Sequence, residues 1–246
     1  MKTTIGRDAR SKEIVAQSYL TRPAVLSRPL LQGNDLTAII RKDAPHLRLL
    51  TEEERQASLD EMLKSRPDGD VWIFGYGSLI WNPAIKYVER RIAHIEGWHR
   101  SFCMSIVAGR ASPSAPGLML ALDEGGYCSG SAFRLANADV RSELTLLWRR
   151  EMLCKGGYIP RWLELVDANG QSFGRAIAFT IDPEGGKYAG DMSTDAVVQR
   201  LATAAGGLGS CADYLFQTRD GLRSHGIPDA ALEQLAEQVE HALTMS

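Results

Sequence analysis

Hydrophobic residues are densest in the stretch Val71-Trp72-Ile73-Phe74-Gly75-Tyr76-Gly77-Ser78-Leu79-Ile80-Trp81. The unbroken apolar run at its start is typical of a strand that is buried on both faces. The Gly-Tyr-Gly-Ser that follows predicts a sharp turn, because glycine has no Cβ to restrict the backbone or to block a ligand. The chain becomes apolar again at Leu79. The pattern therefore predicts a buried strand that ends in a glycine turn.

The residues of this turn are compatible with two interpretations, ligand binding and backbone geometry alone. The adjacent backbone amides of Tyr76, Gly77 and Ser78, together with two hydroxyl groups, could hold a small anionic group. Alternatively, the glycines serve only the geometry of a tight connection between two strands, since short glycine motifs are weakly specific.

The pattern before this stretch is patchier, and residues 1–69 are predicted to form an N-terminal extension that packs on or near the main domain. Up to Asp43 the apolar clusters are interrupted by charges and by Arg-Pro pairs at 22–23 and 28–29. A clearer signal follows at Thr51 and Glu54, which form a capping box. It predicts a helix to about residue 64, with an inner face of Leu59, Met62 and Leu63.

The main domain is predicted to cover residues 70–246 and to begin with closely spaced strands. Apolar patterns indicate strands at 85–94 and 95–107, broken near Gly97, and a β-hairpin whose strands at 118–122 and 127–135 flank residues 123–126. Strands this close together, without helices between them, favour an antiparallel or barrel-like sheet.

Helices dominate the second half of the pattern. Asn137 is predicted to cap a helix that runs to about Leu153, and strands are expected at 162–166 and 176–181. Three helices follow near 194–204, 211–223 and 229–243, with Pro228 at the first position of the last. This order of elements predicts an α+β architecture.

Glu151 is the most informative single residue. The apolar stripe of the predicted helix continues at helical spacing to Glu151, and its members are Val140, Leu144, Leu147 and Trp148. A carboxylate held against apolar walls has a raised pKa, which suits it to accept and return a proton near neutral pH. The alternative is a glutamate in a fraying last turn, paired with Arg149, Arg150 or Lys155.

The other candidates carry weaker signals. Ser78 could be a nucleophile, but Gly-Tyr-Gly-Ser is not G-x-S-x-G, and no acid and histidine follow in a plausible arrangement. The histidines at 94, 99, 225 and 241 are interpreted as structural or surface residues, and Cys103 and Cys154 have no activating partner in sequence. Tyr214 is expected in mid-helix, either in the core or with its hydroxyl in a site.

Composition narrows the classes of function. With 246 residues, 44% of them hydrophobic, the chain can bury a sizeable core. The net charge of −2 and the absence of a Lys/Arg run argue against a nucleic-acid binder. A nucleotide-binding P-loop is not indicated either, because Lys187 is not followed by Ser or Thr.

Cysteine usage and hydropathy bear on location. The four cysteines are widely separated and lack metal-ligand spacing, which is typical of free thiols in a reducing compartment. No apolar run approaches the ~20 residues of a membrane span, and no secretory signal is visible at the N-terminus. The expectation is a cytoplasmic protein with no membrane partner.

Several motifs together resemble the ChaC-type γ-glutamylcyclotransferases, which act on glutathione. The resemblance covers about residues 70–240, and the N-terminal extension is similar to that of bacterial members. The glycine turn is shared by the wider cyclotransferase superfamily, whereas its combination with Arg-Arg-Glu-Met at 149–152 is more specific. The matching segments are residues 71–83, 97–103, 144–152 and 212–216, with Tyr188 and Asp191.

The resemblance implies a fold and a set of roles. The fold would be a small mixed or antiparallel β-barrel flanked by helices, with the glycine loop and a glutamate meeting in one cavity. Glu151 would be the catalytic acid and base, preferred over the nearby Cys154 because the bacterial pattern and the proton chemistry require a carboxylate. The substrate-binding residues would be Ile73, Phe74, Gly75, Tyr76, Gly77, Ser78, Leu79 and Tyr214.

The implied activity is the cleavage of glutathione to 5-oxoproline and cysteinylglycine, with no metal or organic cofactor. The substrate's own α-amine would attack its γ-carbonyl, while Glu151 moves the proton. One alternative is a cyclotransferase for other γ-glutamyl amino acids or amines. The other is a non-catalytic regulator linked to cation transport, although a binder has no need of a buried carboxylate.

Overall fold

The computed structural model describes residues 26–33 and 35–245. They form a closed five-stranded β-barrel with helices packed around it, which confirms the predicted α+β class. The expectations for residues 1–25, including Arg22-Pro23, lie outside the described residues. Within the described ranges, no helix is both long and apolar enough to cross a bilayer.

The barrel is mostly antiparallel, and its two parallel pairings both involve β5, with β1 and with β3. Its order is β1-β3-β2-β4-β5, and β1 pairs in parallel with β5 to complete the ring. A separate two-stranded sheet joins β6 and β7. The strands are β1 (Trp72–Gly75), β2 (Glu89–Ile106), β3 (Gly117–Arg134), β4 (Tyr158–Val166), β5 (Ser172–Ile181), β6 (Ala205–Gly206) and β7 (Gly209–Ser210).

The predicted hairpin across 123–126 is wrong, because β3 runs through this segment as one strand. Its partner is β2, so the ladder continues with Trp98 opposite Glu124. Gly125 and Gly126 adopt φ angles of 97° and 69° beside a register shift in β2. The glycines thus bend a continuous strand rather than reverse it, and Gly97, with a φ of 78°, does the same in β2.

The helices follow the predicted pattern with shifts at their ends. They are α1 (Arg28–Gln32), α2 (Asp35–Asp43), α3 (Glu52–Lys64), α4 (Ser78–Trp81), α5 (Val140–Glu151), α6 (Thr194–Thr203), α7 (Cys211–Ser224) and α8 (Ala230–Thr244). The capping box of α3 is confirmed: Thr51 Oγ1 accepts from the Glu54 amide, and the Glu54 carboxylate accepts from the Thr51 amide.

Three boundary predictions were wrong. Residues 137–139 form a 3₁₀ turn, and the side chain of Asn137 accepts a hydrogen bond from Arg66 instead of capping α5. The helix α5 ends at Glu151 rather than Leu153, since the Leu153 carbonyl accepts from the amide of Leu50. Pro228 precedes α8, whose cap is Asp229.

The described part of the N-terminal extension packs closely on the main domain. Leu31 and Ile40 pack with Leu146 of α5 in one buried cluster. Arg28 donates two hydrogen bonds, of 2.5 and 3.0 Å, to the carboxylate of Glu143, which is only 2% exposed. Because both terminal nitrogens of the guanidinium donate to this carboxylate, the ion pair fixes α1 against α5.

Candidate active site

The predicted glycine turn connects β1 to a short helix and not to a second strand. The carbonyls of Gly77 and Ser78 accept the first backbone hydrogen bonds of α4, from Ile80 and Asn82. No carbonyl in the described part of the chain accepts from the amides of Gly77 or Ser78. The simple interpretation as a strand-to-strand turn is therefore wrong. The Ser78 amide donates to the Tyr214 hydroxyl, so the Gly77 amide is the one left for a ligand.

The turn and Glu151 lie at the same opening in the protein. A small chamber of about 20 Å³ is bounded by the turn, by Glu151 and by Tyr214, and such a volume holds one water-sized group. A wider cavity of about 270 Å³ adjoins it. The residues that line both spaces are Ser78, Glu151, Tyr158 and Tyr214.

Glu151 combines the two interpretations that its sequence position allowed. It is the last residue of α5 and its carboxylate is paired with Arg150, whose Nε lies 3.0 Å from Oε1. At the same time its side chain is only 13% exposed, because it continues the buried stripe of α5. It is thus a nearly buried carboxylate with one adjacent cation, at the edge of a cavity.

Burial raises the pKa of Glu151, because the charged form loses its hydration. The positive charge of Arg150 and its hydrogen bond act in the opposite direction, yet burial dominates. A carboxyl group with this balance can exchange protons closer to neutral pH than an exposed glutamate.

Arg150 joins Glu151 to the glycine turn. Its side chain is 3% exposed, and Nη2 donates to Ser78 Oγ at 2.8 Å while Nη1 donates to the Asn82 carbonyl at 2.6 Å. Ser78 Oγ is therefore an acceptor held by a guanidinium, which does not suit a nucleophile. The signal for Arg150 was its helical spacing from Leu146 and Leu147, which places it on the inner side of α5.

Three tyrosines surround the small chamber. The hydroxyl of Tyr76 donates to the Phe179 carbonyl and that of Tyr158 to the Leu120 carbonyl, each at 2.6 Å. The Tyr214 hydroxyl faces the turn, so that a Cβ at Gly77 would lie 2.7 Å from it. Burial, reinforced by the charge of Glu151, raises the pKa of Tyr214 to about 12, so the phenol keeps its proton.

Arg110 lines the wide cavity and was missed in the sequence. It stands in the loop after β2, where its guanidinium carbon lies 5.5 Å from the ring centroid of Tyr214. Burial lowers its pKa, although the side chain stays charged at any neutral pH. No periodic pattern marks a loop arginine, so only the fold brings it to this cavity.

The remaining candidates lie elsewhere or contribute packing. Ile73 and Phe74 are fully buried, and with Gly75 they support the turn from behind without lining either space. Leu79 lines the small chamber, and Cys154 lines the wide cavity, whereas Cys103 is buried outside both. The described histidines line neither, and the described residues contain no cluster of metal-binding type.

Comparison with known proteins identifies relatives. The profile of the ChaC-like protein family matches residues 71–242. The glutathione-specific γ-glutamylcyclotransferase of Escherichia coli K12 is 43% identical over 196 residues, which are 79% of this chain and 84% of that protein. The glutathione-specific γ-glutamylcyclotransferase 1 of Homo sapiens is 32% identical over 73% of this chain and 83% of its own length.

Solved structures agree on the fold. A crystal structure of a γ-glutamyl cyclotransferase specific to glutathione, from yeast, superimposes with a TM-score of 0.64. The match covers 71% of this chain and 97% of the yeast chain at 19% identity. At this level of identity the similarity extends to the barrel and its helices, which is the fold that the motifs implied.

Proposed function

This chain belongs to the ChaC-like protein family, and we propose that it cleaves glutathione to 5-oxoproline and cysteinylglycine. One observation carries the proposal beyond the names of the relatives. A nearly buried carboxylate, Glu151, and a turn with an available amide at Gly77 line the same small chamber. This intramolecular reaction requires a group that carries a proton and a loop that binds the substrate beside it.

The proposed reaction needs no external nucleophile. The α-amine of the γ-glutamyl group attacks the γ-carbonyl carbon, so a new C–N bond closes a five-membered ring while the bond to the cysteine nitrogen breaks. The amine arrives as an ammonium, and Glu151 accepts the proton that it must lose. After attack the ring nitrogen loses a second proton, which leaves by the same route. Glu151 passes both protons to the cysteine nitrogen, so the lactam keeps one N–H, the dipeptide departs as an ammonium and protons balance over the cycle.

The turn is proposed to hold the γ-glutamyl group. Its α-carboxylate would accept a hydrogen bond from the amide of Gly77, which has no carbonyl partner in the described residues, while the Ser78 amide holds the Tyr214 hydroxyl beside it. Holding the substrate folded brings amine and carbonyl together and supplies much of the acceleration. The Tyr214 hydroxyl, or one of these amides, would stabilise the oxygen that becomes negative during attack.

We also propose a division of the chain into a domain and an extension. Residues 70–246 form the cyclotransferase domain, and residues 1–69 an extension that contributes to its cavity, since Leu26, Ile40 and Leu47 line the wide space. The proposed location is the cytoplasm, where reduced glutathione is available to such a site.

The test is product analysis with purified protein. Incubation with glutathione should release 5-oxoproline and cysteinylglycine in equal amounts, measured by chromatography and mass. Incubation with γ-glutamyl-alanine should release far less 5-oxoproline. Equal or faster release from γ-glutamyl-alanine would instead identify a cyclotransferase for other γ-glutamyl compounds, and no release from either would contradict the proposed activity.

A further inference from the structure

Three cationic side chains line the wide cavity: Arg110, Arg150 and Lys187. Arg150 is fully engaged, because its guanidinium contacts Glu151, Ser78 and the Asn82 carbonyl. Arg110 and Lys187 have no ion-pair partner among residues 26–33 and 35–245. A cavity with two positive charges outside any ion pair favours an anionic ligand.

Arg110 is the better prepared of the two. It is half-buried, and the one side-chain hydrogen bond that it makes within the described part of the chain is from Nη1 to the Ser210 carbonyl, at 2.9 Å. The guanidinium is also steadied by the Tyr214 ring below it. This leaves the other edge of the guanidinium for a ligand, in the planar fork that matches a carboxylate.

The backbone that carries Arg110 is fixed from the extension. Asp43, at the end of α2, accepts hydrogen bonds from the amides of Gly109 at 2.8 Å and Gly207 at 3.0 Å. Gly109 adopts a φ of 77°, which favours glycine, and its φ sets the direction in which the chain enters Arg110. The position of the guanidinium is thus set before any ligand arrives.

Arg110 lies on the leaving-group side of the site. It lines the wide cavity but not the small chamber, whereas Tyr214 and Glu151 line both. A γ-glutamyl group held at the turn therefore extends its leaving dipeptide into the space that Arg110 faces. Two residues span about 7 Å. Tyr214 links the two ends of this path, since a Cβ at Gly77 would lie 2.7 Å from its hydroxyl and the Arg110 guanidinium carbon lies 5.5 Å from its ring centroid.

We propose that Arg110 binds the terminal carboxylate of the cysteinylglycine part of the substrate. The interaction selects a γ-glutamyl tripeptide over shorter γ-glutamyl compounds, because only the tripeptide places a carboxylate at this distance from the γ-carbonyl. This inference rests on the proposed function for the orientation of the substrate. Arg110 is a binding residue in it, since it lies away from the reacting atoms.

The experiment compares glutathione with glutathione amide, in which the terminal carboxylate is a neutral carboxamide. Binding is measured by calorimetry in Glu151→Gln protein, with Arg110 intact or changed to Gln, so that no turnover interferes. With Arg110 intact, the amide should bind about 10- to 100-fold more weakly than glutathione, the range for a hydrogen-bonded charge pair. In Arg110→Gln the two ligands should bind within about twofold of each other.

The controls separate the possible sources of an effect. Arg223→Gln, made in an exposed arginine of α7 that pairs with Glu233, should leave the ratio of the two affinities unchanged. Lys187→Gln should reduce the ratio less than Arg110→Gln does. A larger reduction in the Lys187 variant would overturn the proposal, and so would an Arg110→Gln protein that loses affinity equally for both ligands, because Arg110 would then hold the α-carboxylate.

Product release by the wild-type protein is measured in parallel and reports on the proposed function separately. Binding that depends on Arg110 and the carboxylate, without turnover, would support the subsite and contradict the activity. Turnover of glutathione with equal affinity for its amide would support the activity and overturn the subsite. Failure of both ligands to bind would overturn the subsite as well.

Discussion

Arg150 Nε lies 3.0 Å from Oε1 of Glu151, the next residue in the chain. Neighbours in a helix normally point to different sides, but α5 ends at Glu151, and the two side chains can turn toward each other there. The same guanidinium holds Ser78 Oγ at 2.8 Å. One arginine therefore sets the position of both the proposed proton carrier and the proposed binding turn.

The first prediction concerns Glu151 itself. Glu151→Gln keeps the size of the side chain but removes its ability to carry a proton, so kcat for glutathione should fall by about 10²- to 10⁴-fold. The KM should change much less, since the turn is intact. Kinetics of 5-oxoproline release check this, with Glu237→Gln on the exposed side of α8 as the matched control. A Gln variant with wild-type kcat would remove Glu151 from the mechanism.

The second prediction follows from the opposing effects of burial and Arg150 on Glu151. The carboxylate is the form that accepts the proton, so kcat/KM should fall as the pH drops through the pKa of Glu151. Because burial raises that pKa, the fall should begin above the ~4.3 of an ordinary glutamate.

Removing the charge of Arg150 should move this acid limb to still higher pH, because the charge and its hydrogen bond favour the ionised carboxylate. Profiles of kcat/KM against pH are compared for Arg150→Gln and Arg150→Lys, with the Tm of each recorded. The Lys variant keeps a positive charge and should lie nearer the wild type. An acid limb that stays in place in a folded Gln variant would contradict the coupling.

A third prediction tests the approach of Gly77 to Tyr214. A Cβ at residue 77 would lie 2.7 Å from the Tyr214 hydroxyl, closer than atoms can pack. Gly77→Ala should therefore lower the Tm and displace the turn, with a rise in KM. Removing the hydroxyl in Gly77→Ala/Tyr214→Phe should restore part of the Tm.

The double-mutant cycle supplies the internal control, because Tyr214→Phe alone reports the effect of losing the hydroxyl. We expect this single change to lower kcat while KM stays close to that of the wild type. Strictly additive changes in Tm across the cycle would show that the two residues do not meet in solution.

A fourth prediction addresses the contact of the extension with the cavity. Asp43→Ala leaves the buried Gly109 amide without its acceptor, which should cost about 1–2 kcal/mol of the free energy of unfolding. The KM for glutathione should rise because Arg110 follows directly, while kcat should be little changed. Denaturation and steady-state kinetics measure the two effects, and Asp43→Asn, which keeps an acceptor oxygen, should retain most of both.

Structural features that follow from a periodic or local sequence pattern were predicted correctly. The stripe from Val140 to Trp148 is buried as expected, and it brought attention to Glu151. The capping box at Thr51 lies where the residue types require it, since both of its hydrogen bonds are local. Such patterns are legible because the residues that interact are only three or four positions apart.

Features that depend on distant partners were not predictable in this way. Residues 123–126 have the composition of a hairpin turn, yet the long ladder with β2 keeps them in one strand. Arg110 meets Tyr214 over more than a hundred positions, and Asp43 meets Gly109 over 66. No local spacing records these contacts, so the part of the candidate site around Arg110 emerged only from the fold.

Leu26, Ile40 and Leu47 lie ahead of the segment that matches the family profile, yet they form part of the wall of the wide cavity. The family domain can thus keep the proposed ring-closing step while the N-terminal extension shapes the space proposed for the departing dipeptide. We expect relatives with unrelated N-terminal extensions to act on the same γ-glutamyl group and to differ in the amines that they release. The extension would then be the place where evolution alters substrate range without disturbing the catalyst.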